Sequence, residues 1–309
     1  MVSFKPVACV DSFFQFLVET LIKDHGGPGM LPVVVIALSV ALLVTLVFFV
    51  FAFFEVALTS PGAAAVRKRV LPEWQPPIVQ NEELFAWAAS AAKRAVQKHL
   101  PKRRGAAAAK AIVADLGDGT DHALTYSPNQ VKRRGQHACS SCRNHLIGVT
   151  IPEVLTIADA LQSKRTAEDL RNIRVRAVEA AKRAISMDSR AYEAAKIDCP
   201  LLCADSTCAA NGFRPIQCRG WRPLDRSNKA NPQGGEGIEV DPHALLVSQG
   251  VEEGLMSELG KQGLDGARYD LSSALVVALD TPGAAESWAA GQPVFAGCKK
   301  QDSPRPRQK

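Results

Sequence analysis

The sequence predicts a mainly α-helical protein: one N-terminal transmembrane helix followed by a small helix-rich, loop-rich metal-binding domain. Three observations carry this. An uncharged apolar run extends from Leu31 to Phe54, alanine- and leucine-rich segments recur at helical spacing after it, and seven of the eight cysteines lie between His137 and Cys298.

The apolar run covers about 36 Å as a helix, against a hydrocarbon core of about 30 Å. It begins too late and runs too long for a signal peptide, and it ends in bulky Phe48, Phe49, Phe51, Phe53 and Phe54, so residues 30–58 read as a retained anchor. Within the preceding segment 1–29, Asp11 to Lys23 places Phe14, Leu17, Val18 and Leu21 on one helical face, suited to the membrane surface or to packing on the anchor. Cys9 stands outside the cysteine cluster as a lone thiol. Arg67, Lys68 and Arg69 follow the anchor while only Lys5 and Lys23 precede it, which orients a single-pass membrane protein with its cysteine domain in the cytoplasm. Reducing conditions there favour metal binding; on the other side of the membrane the same cysteines would pair as structural bridges.

Pro61, Gly62, Pro72, Pro76 and Pro77 make 59–80 a linker. A basic helical region, 81–136, follows. Asn81 caps a helix with Leu84, Trp87, Ala88, Ala91 and Ala95 at helical spacing until Pro101, and an alanine-rich stretch runs from Ala106 to Leu116, where Gly117 and Gly119 end it. Asp115, Asp118, Asp121 and His122 lack the EF-hand pattern and read as part of a polar turn. Lys93, Arg94, Lys98, Lys102, Arg103 and Arg104, with Lys132, Arg133 and Arg134, form a basic stripe in a chain of net charge +6. Anionic lipid headgroups are its nearest counterions, although a solvated basic face explains it equally well; nucleic acid fits poorly because no aromatic residues interleave to stack bases.

The cysteine domain spans 137–298. Thr150 and Glu153 form a capping box, with Pro152 in the first turn, for a helix over about 152–162, and a second helix runs from Thr166 to about Ser186. A segment through Tyr192 and Ala195 leads into Cys199. Arg219 to Pro242 reads as a long loop, and it lacks the Lys and Ser or Thr of a phosphate-binding loop. Leucines and valines from Leu245 to Leu259 and from Leu271 to Leu279 predict two covering helices; residues 299–309 read as a disordered basic tail.

Cys139-x-x-Cys142, Cys199, Cys203, Cys208, Cys218 and Cys298 are laid out as metal ligands, and His137 and His145 flank the leading pair. Thiolates and imidazoles bind zinc tetrahedrally, and iron shares these preferences. An iron-sulfur cluster also takes four cysteines, but neither ferredoxin spacing is present.

Cys199-Pro200-Leu201-Leu202-Cys203, Cys208 and Arg214-Pro215-Ile216-Gln217-Cys218-Arg219 resemble the YkgJ-type cysteine-cluster family, described as zinc- or iron-chelating. The resemblance covers roughly 137–298. It includes Cys139-x-x-Cys142 running into Thr150-Ile151-Pro152-Glu153, then Tyr269-Asp270-Leu271, Trp288 and Val294-Phe295-Ala296-Gly297-Cys298. Motif position ranks Cys139, Cys142, Cys208 and Cys218 as the primary set, because Cys208 and Cys218 bracket a loop stiffened by Pro215 and Cys139 with Cys142 is the close pair followed by a capped helix; Cys199 comes next, and Cys203 and Cys298 are substitutes or second-site ligands. Where the family has adjacent cysteines this chain has Arg143, and Cys203 or His145 is the expected replacement. Arg214, Arg219 and Arg222 are placed to offset thiolate charge or to form ordinary surface pairs.

No G-x-S-x-G or H-E-x-x-H motif is present, so no enzyme class is assigned. The expected function is a membrane-anchored protein holding zinc or iron. Alternatives are an iron-sulfur electron-transfer or redox component, and a protein-interaction module with a structural zinc.

Overall fold

Two alanine-rich helices form the first part of the scaffold. α1 (Asn81–His99) opens with Glu82 and Glu83 in its first turn, where carboxylates suit the helix dipole, and buries Leu84, Ala88, Ala91, Ala92, Ala95 and Val96. Pro101 then turns the chain through a 3-10 segment, Leu100–Lys102. α2 (Gly105–Ala123) is longer than its glycines suggest. Gly117 and Gly119 were expected to end it, but the helix runs through both because each admits a close neighbour. A Cβ at position 119 would sit 2.0 Å from Cε2 of Trp74, and one at 117 would sit 2.9 Å from Nη2 of Arg219. Two helical glycines cost about 1 kcal/mol each relative to alanine, which burial of the Trp74 indole offsets. Asp115 and Asp121 therefore lie on α2, not in a polar turn. Asp115 accepts hydrogen bonds from Lys98 at 2.9 Å and pairs with His99 at 2.7 Å.

The computed structural model describes residues 71–78, 81–102, 105–129, 143–224 and 240–302. The expected anchor (30–58), the amphipathic segment, Cys9, His137, Cys139, Cys142, the basic residues Arg103, Arg104 and 132–134, and residues 303–309 of the expected tail lie outside them; the start of that tail, expected to be disordered from 299, instead forms a short strand at Lys300–Gln301. Among the described residues no helix is long and apolar enough to cross a membrane. Residues 72–77 were expected to be linker; instead Pro72–Trp74 form a 3-10 turn whose Trp74 is 1 % exposed and meets Trp87 edge-on at 6.5 Å.

The second part is organised by a small antiparallel sheet that the sequence did not announce. β1 (Gly148–Thr150) pairs with β2 (Arg268–Asp270), Val149 opposite Tyr269, and β2 pairs with β3 (Lys300–Gln301). Strands of two or three residues are too short for alternation to be read. Both β1 and β2 run straight into helices. Thr150 opens α3 (Ile151–Lys164) through the expected capping box, and Asp270 opens α8 (Leu271–Asp280) by accepting the Ser273 N–H at 2.8 Å.

Between them come α4 (Ala167–Ala184), α5 (Ser189–Ala194), α6 (Ile216–Gly220) and α7 (Pro242–Lys261); α9 (Ala284–Ala289) follows α8. The mainly helical class is as expected. α4 buries Ile173, Ala177, Ala180 and Ala184 and packs on α8, while α7 lies along α1. One hydrophobic core joins α1 and α2 to α3, α7 and α8, with Trp288 and Phe295 fully buried in it. The basic helices and the segments bearing the later cysteines thus share that core, within the unit Leu71–Lys309.

A buried polar seam crosses this core. Glu153, 1 % exposed, accepts the Thr150 N–H at 2.7 Å and, from 63 residues away, the Ile216 N–H at 2.8 Å. Gln217 accepts from the Gly148 N–H and from Arg268, both at 2.6 Å. Glu252, also 1 % exposed, lies 3.7 Å from Arg268. Burial pushes its carboxyl up to about 8; Arg268 opposes the shift and Glu153 adds to it. The folded chain therefore holds this proton over a range where the unfolded chain releases it. Its contribution is full below the ordinary carboxylate value of 4.5 and is lost as pH rises to about 8, at roughly 1.4 kcal/mol per unit for one group. Glu252→Gln is expected to flatten that loss. Urea midpoints at pH 5 and pH 8 check it: the variant gains on the wild type at pH 8, and parallel profiles would contradict the assignment.

Candidate metal centre

Cys199 and Cys208 flank a compact knuckle. The Ala209 N–H donates to Leu201 O at 2.7 Å, Leu202 and Cys208 form a bridge pair, and the Cys203 N–H donates to Thr207 O at 2.8 Å. The tip is closed by Ser206 in the left-handed region (φ 62°) and by Asp205, which accepts the Thr207 hydroxyl at 2.6 Å and N–H at 3.0 Å. Those bonds hold the Asp205 carboxyl below the usual carboxylate range. Side chains alternate along an extended pair, so Cys203 lies on the face opposite Leu202 and Cys208. Cys208 is buried and packs into the main core, and Cys199 is half-buried against it.

Cys218 sits on α6, a five-residue helix opened by Pro215. Helices this short are marginal alone, and this one is held from outside. Glu153 receives its first N–H, while the Gln217 side chain joins β1 to Arg268. The neighbouring arginines engage α2 and the turn that follows it. Arg219, 8 % exposed, donates to Asp121 at 2.7 Å and to Arg214 O at 3.1 Å, and Arg222 donates to Leu124 O at 3.3 Å. Arg219 is thus neither a surface pair nor directed at a sulfur in these contacts; it fastens the C-R-G-W segment to the scaffold.

The chain enters this region at Arg143, the residue after Cys142. Its carbonyl accepts the Cys199 N–H at 2.7 Å, and its guanidinium makes a two-pronged pair with Asp198 at 3.0 and 3.1 Å. Asn144 adds a third bond to Asp198 at 3.0 Å, and these donors, Arg143 foremost, hold that carboxyl below its ordinary value. Next in line, His145 Nδ1 lies 2.5 Å from Glu193 Oε1, and the imidazole rests on Trp221 with ring centroids 4.1 Å apart. His145, Tyr192, Cys199 and Asp270 line one small recess. Burial raises both the Tyr192 hydroxyl and the Asp270 carboxyl.

Cys298 is buried, bonds Ser273 on α8, and is pushed up to about 11 by burial, so it stays a protonated thiol at neutral pH. Among the described residues no three His, Cys, Asp or Glu side chains are grouped to hold a metal ion. The expected set includes Cys139, Cys142 and His137, which lie outside those residues. Thiols and an imidazole, donor types that zinc takes, are present among the described residues but are not gathered at one point there.

Sequence reasoning missed Glu193, Gln217 and the second role of Glu153. Only the capping box signalled Glu153, and nothing local indicated its reach to Ile216. Comparison with protein-family models, with curated proteins and with solved structures finds no match.

Proposed function

We propose that this chain is a membrane-attached metal-binding protein whose cysteine cluster holds zinc or iron. The observation that carries the reading is the 2.7 Å bond from the Cys199 N–H to Arg143 O. Arg143 follows Cys142 directly in the sequence, so this bond ties the residue after the leading C-x-x-C pair to the start of the second half of the cysteine layout, more than fifty residues on. The Asp198 bonds fix that junction, and the knuckle and the clamp on α6 supply rigid seats for further sulfurs. The resemblance to YkgJ-type proteins points to the same chemistry.

Cys139, Cys142, Cys208 and Cys218 are the primary ligands in this reading, with Cys199 beside them. Cys203 and Cys298 are substitutes or second-site ligands in this reading. When bound, the metal joins the C-x-x-C arm, the knuckle and α6. Metal content of Cys218→Ser beside Cys203→Ser tests the assignment, with loss expected only in the first.

Membrane attachment is supported by the uncharged run Leu31 to Phe54. Alkaline carbonate is expected to leave the chain in the membrane fraction; release of the intact chain would contradict attachment through this run.

A further inference from the structure

We infer that the groove beside Trp74 binds a phosphoethanolamine group, with its phosphate on Arg94 and Lys98 and its ammonium on Glu73. One side of the groove is α1, where Arg94 and Lys98 stand one turn apart beside buried Ala91 and Ala95. The other side is the 3-10 turn Pro72–Trp74, which carries Glu73. That turn is fixed in place, because the Trp74 indole is buried against Gly119 of α2 and meets Trp87 edge-on. Between the two sides lies about 380 Å³, within the roughly 300 to 1,000 Å³ of small-ligand clefts.

The charges around the groove select the ligand. Asp115, which also lines it, is engaged by Lys98 at 2.9 Å and by His99 at 2.7 Å, so its carboxylate is already matched. Lys98 keeps two of its three N–H donors for a phosphate. Glu73 and Arg94 are exposed, and among the described residues their side chains make no hydrogen bond or ion pair with each other or with a neighbour. One unspent negative charge and one unspent positive charge on the same groove match a zwitterion, whereas a plain anion would be repelled by Glu73. A guanidinium takes phosphate through two parallel N–H bonds, and a primary ammonium has the N–H donors that a carboxylate accepts. The small apolar side chains of Ala91 and Ala95 leave room for the ethylene carbons. An anchored chain meets this group as the headgroup of phosphatidylethanolamine; that source, but not the site itself, rests on the membrane reading above.

Calorimetric titration of the full-length chain in a nonionic detergent, corrected for protein-free micelles, tests this with glycerophosphoethanolamine, dihexanoylphosphatidylethanolamine and dihexanoylphosphatidylglycerol. Wild type is expected to bind both ethanolamine probes and to bind the glycerol lipid at least about 10-fold more weakly than the ethanolamine lipid. Arg94→Gln should weaken the ethanolamine probes about 10- to 100-fold, and Glu73→Gln should erase the preference for ethanolamine over glycerol. Both side chains are exposed, so the variants should keep the wild-type circular dichroism. Tighter binding of the ethanolamine lipid than of the chain-free probe assigns the source as a headgroup, and equal binding assigns it as the free compound. Ethanolamine binding by a chain that alkaline carbonate releases would keep the site and remove the bilayer as its source. No binding of either ethanolamine probe, no preference over the glycerol lipid, or wild-type affinities in both variants would overturn the inference.

Discussion

Cys218→Ser is expected to lose the bound metal and to melt at least roughly 10 °C lower than wild type, whereas Cys203→Ser should keep both metal and melting temperature. Structural zinc can contribute on the order of 10 kcal/mol or more to folding, against about 2 to 5 for a structural disulfide. Losing even about 4 kcal/mol of that linkage would lower the melting point of a domain this size by roughly 10 °C. Cys218 is exposed to the full effect because its helix is five residues long and depends on Glu153 and on neighbours for its shape. Cys203 contributes backbone bonds to the knuckle, and serine keeps those. Removing metal from wild type with a chelator should reproduce the Cys218→Ser melting curve. Equal metal content in the two variants would remove Cys218 from the ligand set.

Gly254→Ala is expected to destabilise the fold by about 3 kcal/mol or more, at or above the upper end of ordinary overpacking. The added Cβ would lie 2.1 Å from the carbonyl oxygen of Ala89 and 2.8 Å from its Cα, so backbone and not a flexible side chain must give way. One turn earlier, a Cβ at Gly250 would meet Phe85 O at 2.5 Å, so α7 and α1 touch main chain to main chain. Gly260, on the same helix, has nothing within 4 Å of its would-be Cβ. Gly260→Ala should therefore stabilise slightly, by about 0.5 to 1 kcal/mol, through helix propensity. Urea unfolding of the pair checks the crossing: equal midpoints would mean that the helices do not meet there.

The elements that were legible in the sequence are those whose signals are local. Periodic apolar residues gave α1, α4, α7 and α8, and Thr150 with Glu153 marked the start of α3. What escaped depends on distant partners. Gly119 looks like a helix end until Trp74, far back in the chain, is seen lying against it, and the same contact turns a proline-rich linker into docked structure. Arg219 reads as a charge beside cysteines, yet its partner is Asp121 on α2. The cysteine spacing was equally plain as a pattern of candidate ligands. Which sulfurs face together was not, because the side taken by Cys203 depends on the Leu202 and Cys208 pairing, and the state of Cys298 on burial against α8. His145 stood out in the sequence beside the cysteine pair, but its contacts with Glu193 and Trp221, 48 and 76 residues away, did not.

The central claim, a metal held by cysteine sulfur, is tested most directly by metal-edge X-ray absorption on the anaerobically purified full-length chain, after elemental analysis has named the metal. The account predicts zinc or iron bound to the chain with a dominant sulfur shell, near 2.3 Å for zinc. A chain that carries no metal, or one whose metal has only oxygen and nitrogen neighbours, would contradict it.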